Sequence, residues 1–188
     1  METSLTAAGL LPAVAKGSVA AFEELYDRYS STIYALLLRI LSNADDAQEV
    51  LQETFVKAWT SAKMFDAVRG SEVAWLISIA RSRGIDRLRS RKIRNEREDE
   101  AGRDISTRMT FVDSTTGADL AIQSQESRAV RSALAALPDA QRIALELAYF
   151  EGLSQSEIAT RLSEPLGTIK TRMQLGMKKL RDSLHVHQ

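Results

Sequence analysis

The sequence predicts an all-α chain made of two small helical domains joined by a flexible linker. Apolar residues recur at spacings of three and four over long stretches, and no strand-like alternation competes with them. There are three prolines in 188 residues, so long helices are permitted, and 44% hydrophobic content is enough for packed cores. From Asn95 to about Thr116 the apolar pattern lapses into polar sequence. The expected domains are residues 1–94 and 119–188, with 95–118 as the linker.

The elements follow in order. In Ala20–Leu41, residues Phe22, Leu25, Tyr26, Tyr29, Ile33, Leu36, Leu37 and Ile40 form an apolar stripe, with Ser30-Ser31 as a candidate break. Asp45–Thr60 follows, with Ala47, Val50, Leu51, Thr54, Phe55 and Ala58 on its buried face. Asp45, Glu49, Gln52 and Glu53 lie on the opposite side. Ser61–Glu72, which contains Gly70, reads as a loop. Val73–Arg94 reads as a long helix, apolar at Trp75, Leu76, Ile77, Ile79 and Ala80, then basic. The linker carries Glu98-Asp99-Glu100 and few large apolar residues. Helix resumes over Asp119–Leu137, and Pro138 starts a new one.

The last fifty residues carry the clearest functional pattern. Leu137–Leu184 reads as a helix, a break at Glu151–Leu153, a short helix, a tight turn and a longer basic helix, which is a helix-turn-helix. Ser154 with Glu157 forms a capping box that starts the short helix, whose apolar face is Ile158, Ala159 and Leu162. Glu164-Pro165 ends the turn; proline suits a helix start because the N–H it lacks would be unpaired there. Thr168, Lys170, Thr171 and Arg172 stand where a recognition helix meets base edges. Ile169, Met173 and Leu180 hold its other side. DNA is therefore the first partner to consider.

Lysine and arginine total 25 and so do aspartate and glutamate, giving zero net charge, but the distribution is uneven. Arg83, Arg87, Arg91 and Arg94 form one helical stripe, with Arg81, Arg89 and Lys92 roughly opposite, as suits a polyanion. Acids gather at Asp45, Asp46, Glu49 and Glu53. Separate basic and acidic surfaces suggest two kinds of partner. Cysteine is absent, which excludes disulfides, thiolate metal sites and a cysteine nucleophile. The two histidines, His185 and His187, lie at the frayed end, and neither they nor the acids suggest a metal. There is no Gly-rich phosphate loop, so neither catalysis nor a cofactor is expected. METSLTAAGLLPAV lacks a charged start and a long apolar run, so no signal peptide or membrane insertion is expected, and the cytoplasm is the expected location.

Taken together, these segments resemble a bacterial RNA polymerase sigma factor of the group IV, extracytoplasmic-function type, in the sigma-70 family. AFEELYDRYSSTIYALLLRIL is similar to the opening of the sigma-2 domain, and DAQEVLQETFVKAW resembles region 2.2. AWLISIARSRGIDRLRSRKIR resembles regions 2.3–2.4, and LPDAQRIALELAYFEGLSQSEIATRLSEPLGTIKTRM resembles region 4. Four such segments in order make a specific match.

The resemblance implies partners: the β′ clamp helices and β flap of core RNA polymerase, promoter DNA, and a cognate anti-sigma factor. It implies that Asp46, Glu49, Gln52 and Glu53 dock on polymerase. Lys63, Phe65, Arg69 and Gly70 would line a pocket for a flipped −10 base, and Arg83, Arg87 and Arg91 would contact nearby promoter DNA. Ser154, Thr168, Lys170, Thr171 and Arg172 would read the −35 element, with phosphate help from Lys178 and Lys179. Relatives often carry HRAR-like basic residues in the recognition helix, where this chain has Gln174-Leu175-Gly176-Met177. Leu175 offers apolar contact or packs inward, and Gly176 implies a close approach or a bend. Glu53→Arg is expected to abolish polymerase binding and leave the fold intact.

Other classes ending in a helix-turn-helix fit less well. A response-regulator-type activator needs an α/β receiver, and a serine recombinase needs an α/β catalytic domain around its serine. Ser82 and Ser90 do lie among arginines, but on a helix. A helical RNA-binding protein, and a helix-turn-helix regulator that never docks on polymerase, are the remaining alternatives.

Overall fold

A computed structural model describes residues 9–99, 130 and 132–185. Among them every regular element is helical, and the chain divides into two compact units, Met1–Asp113 and Ser114–Gln188.

In the first unit a short helix α1 (Leu11–Val14) precedes three long ones: α2 (Val19–Leu41), α3 (Ala44–Ser61) and α4 (Glu72–Asp99). The Ser18 hydroxyl opens α2 by accepting the Ala21 N–H at 3.3 Å. No break occurs at Ser30-Ser31, because the apolar stripe continues unbroken from Leu25 to Ile33 and Leu37, all fully buried. Ser42 ends α2 in the left-handed region at φ 51°, and Asn43 at once caps α3 by accepting the Asp46 N–H at 2.9 Å. Asp45 and Asp46 then lie in the first turn of α3, where the helix dipole favours carboxylates.

The three long helices pack against one another around Leu25, Ile33, Leu37, Val50, Leu51, Phe55, Leu76 and Ile85. Each such apolar side chain contributes about 1.5–3 kcal/mol on burial. Phe22, Tyr26, Phe55 and Trp59 extend the core as an aromatic cluster, Phe22 edge-on to Phe55 and Trp59, and Tyr26 tilted on Phe55 with centroids 4.7 Å apart. Gly84 lets α4 approach α2, since a Cβ there would stand 3.2 Å from Ile40 and 3.3 Å from Leu37. The expected loop between α3 and α4 contains two 3-10 turns, Ala62–Met64 and Ala67–Arg69. Helix α4 also continues to Asp99, so the expected linker begins as helix. Its residues there are Asn, Glu, Arg and Asp, with neither glycine nor proline to stop it.

In the second unit residues 132–135 are helical, followed by α5 (Asp139–Phe150), α6 (Gln155–Leu162) and α7 (Leu166–His185). Residue 130 is also helical, while 136 and 137 form a turn and bend before α5; the other residues of the expected Asp119–Leu137 helix, and the linker beyond Asp99, lie outside the described residues. Ala144, Leu147, Ile158 and Ile169 form the core, with Ile143, Leu153, Leu162 and Met173 packed against it. Gly152, at φ 64°, makes the break between α5 and α6. Gly176 allows the close approach expected of it, since a Cβ there would lie 2.9 Å from Leu145 Cδ1 and 3.4 Å from Gln141 Cβ.

Candidate functional sites

The helix-turn-helix is built from local rules. The Ser154 hydroxyl accepts the Glu157 N–H at 3.3 Å while the Glu157 carboxylate accepts the Ser154 N–H at 2.7 Å, closing the capping box. Ser163 ends α6 at φ 53°, and the Glu164 N–H bonds back to the Ala159 carbonyl at 3.0 Å. Pro165 precedes α7, and its carbonyl accepts from the N–H groups of Thr168 and Ile169.

The two faces of α7 are sharply divided. Ile169 and Gly176 are buried and Thr168, Arg172, Met173 and Leu180 half-buried, whereas Lys170, Thr171, Gln174, Lys178 and Lys179 are exposed. Arg172 is turned to structural use, donating to Glu164 of the turn at 2.8 Å. The Thr171 hydroxyl donates to the Gly167 carbonyl at 2.9 Å. Ser154 is exposed but committed to its cap. Leu175 is 45% exposed and so does not pack inward. Gln174 is a further exposed residue of this stripe, at i+4 from Lys170, and an amide there can pair bidentately with adenine.

In the first unit the acidic and basic faces expected as separate surfaces close on each other. Arg83 donates to Glu53 at 2.7 Å, and Arg91 to Asp46 at 2.8 Å. Arg87 is the hub, reaching Glu49 at 2.7 Å, Asp46 at 3.1 Å and Glu53 at 3.3 Å. The reason is geometric: α3 and α4 pack side by side, and the acid stripe of one faces the arginine stripe of the other. The Arg87 hydrogen bond, reinforced by its charge, holds the Glu49 carboxyl below its ordinary value. Glu49 in turn holds the Arg87 guanidinium above its own. Gln52 is exposed on α3 beside this network.

This pairing bears on Glu53→Arg: the substitution would set a third cation against Arg83 and Arg87 and so lower the stability of the unit.

In the loop before α4, Lys63, Arg69 and Gly70 are exposed. Gly70 stands at φ 152°, ψ 176°, a conformation that suits glycine. Phe65 is half-buried against Trp75, with ring centroids 5.8 Å apart, and so braces the loop base. Asp66 accepts the Val68 N–H at 3.0 Å, and Val68 itself is 94% exposed at the tip. No sequence signal marked Val68, since an isolated valine reads as core.

A helix-turn-helix with a bare, basic outer stripe, carried with a highly charged helical unit, defines a DNA-binding transcription protein. The sigma-70 region 2 family matches residues 25–93, and the sigma-70 region 4 family matches residues 127–180. The chain is 40% identical over 179 residues to the ECF RNA polymerase sigma factor SigK of Mycobacterium tuberculosis, covering 94% of this chain and 92% of that one. It is 37% identical over 175 residues to SigK of Mycobacterium ulcerans, covering 93% and 91%. Among solved structures, Rhodobacter sphaeroides SigE in complex with the anti-sigma ChrR is 30% identical, covers 92% of this chain and 94% of that chain, and aligns with a TM-score of 0.44. The chain belongs to the ECF RNA polymerase sigma factors. Its function is that of an alternative sigma factor, in a family of transcription initiation factors.

Proposed function

We propose that residues 1–94 form the polymerase-docking and −10-reading domain, 95–118 the linker, and 119–188 the −35-reading domain. The acidic side of α3, with Asp46, Glu49, Gln52 and Glu53, docks on the β′ clamp helices, and the second domain meets the β flap. Lys63, Phe65, Arg69 and Gly70 shape the seat for an extruded −10 base, whose unstacking costs a few kcal/mol that binding must recover. Arg83, Arg87 and Arg91 reach promoter phosphates by exchanging carboxylate for phosphate partners. Lys170 and Thr171 read the −35 major groove, joined by Gln174, with Lys178 and Lys179 on phosphates. Ser154, Thr168 and Arg172 act there chiefly by holding α6 and α7 in register. The free chain is held by a cognate anti-sigma factor, as SigE is by ChrR, and works in the cytoplasm with polymerase.

The observation that carries this reading is the division of α7 into a buried face and an outward stripe of Lys170, Thr171, Gln174 and Lys178. The test is a pull-down of core RNA polymerase with wild-type chain beside Gln52→Arg. That variant leaves every α3–α4 ion pair described above in place. Retention of wild type and loss of Gln52→Arg, both remaining folded, supports the dock. Equal retention removes Gln52 from it, and failure of both would leave the α3 dock without support.

A further inference from the structure

The loop between α3 and α4 is tied at both ends to the short segment before α2. Glu72, the first residue of α4, accepts the Leu11 N–H on its Oε1 at 2.6 Å, across 61 positions of sequence. Gly9 lies on the same oxygen: it stands at φ +76°, and a Cβ there would come within 2.9 Å of Glu72 Oε1. The carboxylate therefore sits against the backbone turn that opens α1, where a side chain at position 9 would press on it from a left-handed backbone that favours glycine. At the other end of the loop, α1 packs against the 3-10 turn Ala62–Met64, where Ala62 is buried. Leu10, Leu11 and Val14 anchor α1 itself, all buried. Between these anchors Lys63, Met64, Val68, Arg69 and Gly70 are exposed.

We infer that residues 9–14 and Glu72 form a clamp that sets the position of the 62–71 loop, and that Glu72 is a positioning residue for capture of the −10 strand. The inference rests on the −10 role given to that loop above. Its physical basis is preorganisation. A loop that must be ordered when the base arrives loses conformational entropy at that step, and this subtracts from affinity. Holding both loop ends in advance removes most of that loss. Neither Gly9 nor Glu72 lies on the acidic side of α3 or on the outer stripe of α7, so loss of the clamp affects one contact of three.

The test uses holoenzyme reconstituted from core RNA polymerase and the full chain. The probes are a single-stranded non-template −10 oligonucleotide and a −35 duplex, both from a promoter selected in vitro by the wild-type holoenzyme. Glu72→Ala and Gly9→Ala are expected to weaken binding of the −10 strand about tenfold, the order set by loss of a hydrogen bond to a charged group. Glu72→Gln keeps an acceptor oxygen and is expected to stay within about threefold of wild type. All three variants should bind core polymerase and the −35 duplex as wild type does. Unchanged −10 binding by Glu72→Ala overturns the clamp, as does a parallel loss of core binding, which reduces Glu72 to a folding role. A wild-type holoenzyme that ignores the −10 strand overturns the loop assignment itself, and the clamp's role with it.

Discussion

Replacing Arg87 with methionine removes the hub of the α3–α4 charge network while keeping an unbranched apolar stem in its place. Arg87 faces Asp46, Glu49 and Glu53 at 2.7–3.3 Å, with its side chain 25% exposed against 20% for Asp46 and 39% for Glu53. Partly exposed pairs contribute about 0.2–1 kcal/mol each. Glu49 is open to solvent and is left out of the sum. Asp46 and Glu53 together then imply a loss of about 1 kcal/mol, or roughly 4–8 °C in Tm for a helical unit of this size. The assay is thermal unfolding of wild type and variant by circular dichroism, at low salt and at about 1 M, where the screening length falls to about 3 Å. The difference should shrink in high salt.

The Arg87–Glu49 pair should respond to pH, with a fixed sign. The Arg87 hydrogen bond holds Glu49 below its ordinary value of 4.5. A carboxylate with a depressed folded pKa contributes stability above its unfolded pKa and loses it as pH falls through the folded one. The share of the gap that Glu49 supplies is therefore full above that ordinary value and is lost in stronger acid. A gap that persists unchanged in 1 M salt and in acid would refute the electrostatic account and assign the loss to packing.

Three further outcomes are expected in the second unit. Ser154→Ala should cost about 1 kcal/mol in unfolding experiments by opening the capping box, with Ser154→Asp recovering most of it. Gly176→Ala sets about 1 kcal/mol of gained helix propensity against about 1–3 kcal/mol of overpacking on Leu145. Denaturant titration should therefore give a net loss of about 1 kcal/mol, and a net gain would mean that Leu145 moves aside freely. Lys170→Ala combined with Gln174→Ala should weaken −35 duplex binding in anisotropy titrations, with a shallower salt dependence, and leave the melting curve unchanged. Arg172→Ala should instead lower the melting temperature, because its guanidinium holds Glu164.

Much of the second unit was legible in the sequence because its rules are local. The capping box spans four residues, the turn spans Ser163 to Pro165, and the two faces of α7 follow from helical spacing. The buried face of α3 was legible for the same reason, residue by residue from Ala47 to Ala58. Gly176 could be marked as a close approach, since an interior glycine in a helix needs a reason, but its neighbours Leu145 and Gln141 could not be named.

What lay beyond the sequence depends on how helices meet. The angular position of Arg83, Arg87 and Arg91 on α4, and of Asp46, Glu49 and Glu53 on α3, was readable from each helix alone. That the two stripes face each other was not, because the partners stand 30 to 45 positions apart. The rotation and register of α3 on α4 are set by core packing, which no single helix specifies. The same holds for Glu72 and the backbone of Gly9 and Leu11, where one carboxylate joins two distant segments. The sequence by itself determined the helices, their apolar faces and the caps, because these arise from neighbours along the chain. Tertiary structure alone decided which charges are neutralised and which remain for a partner, because that depends on the faces the packed core brings together.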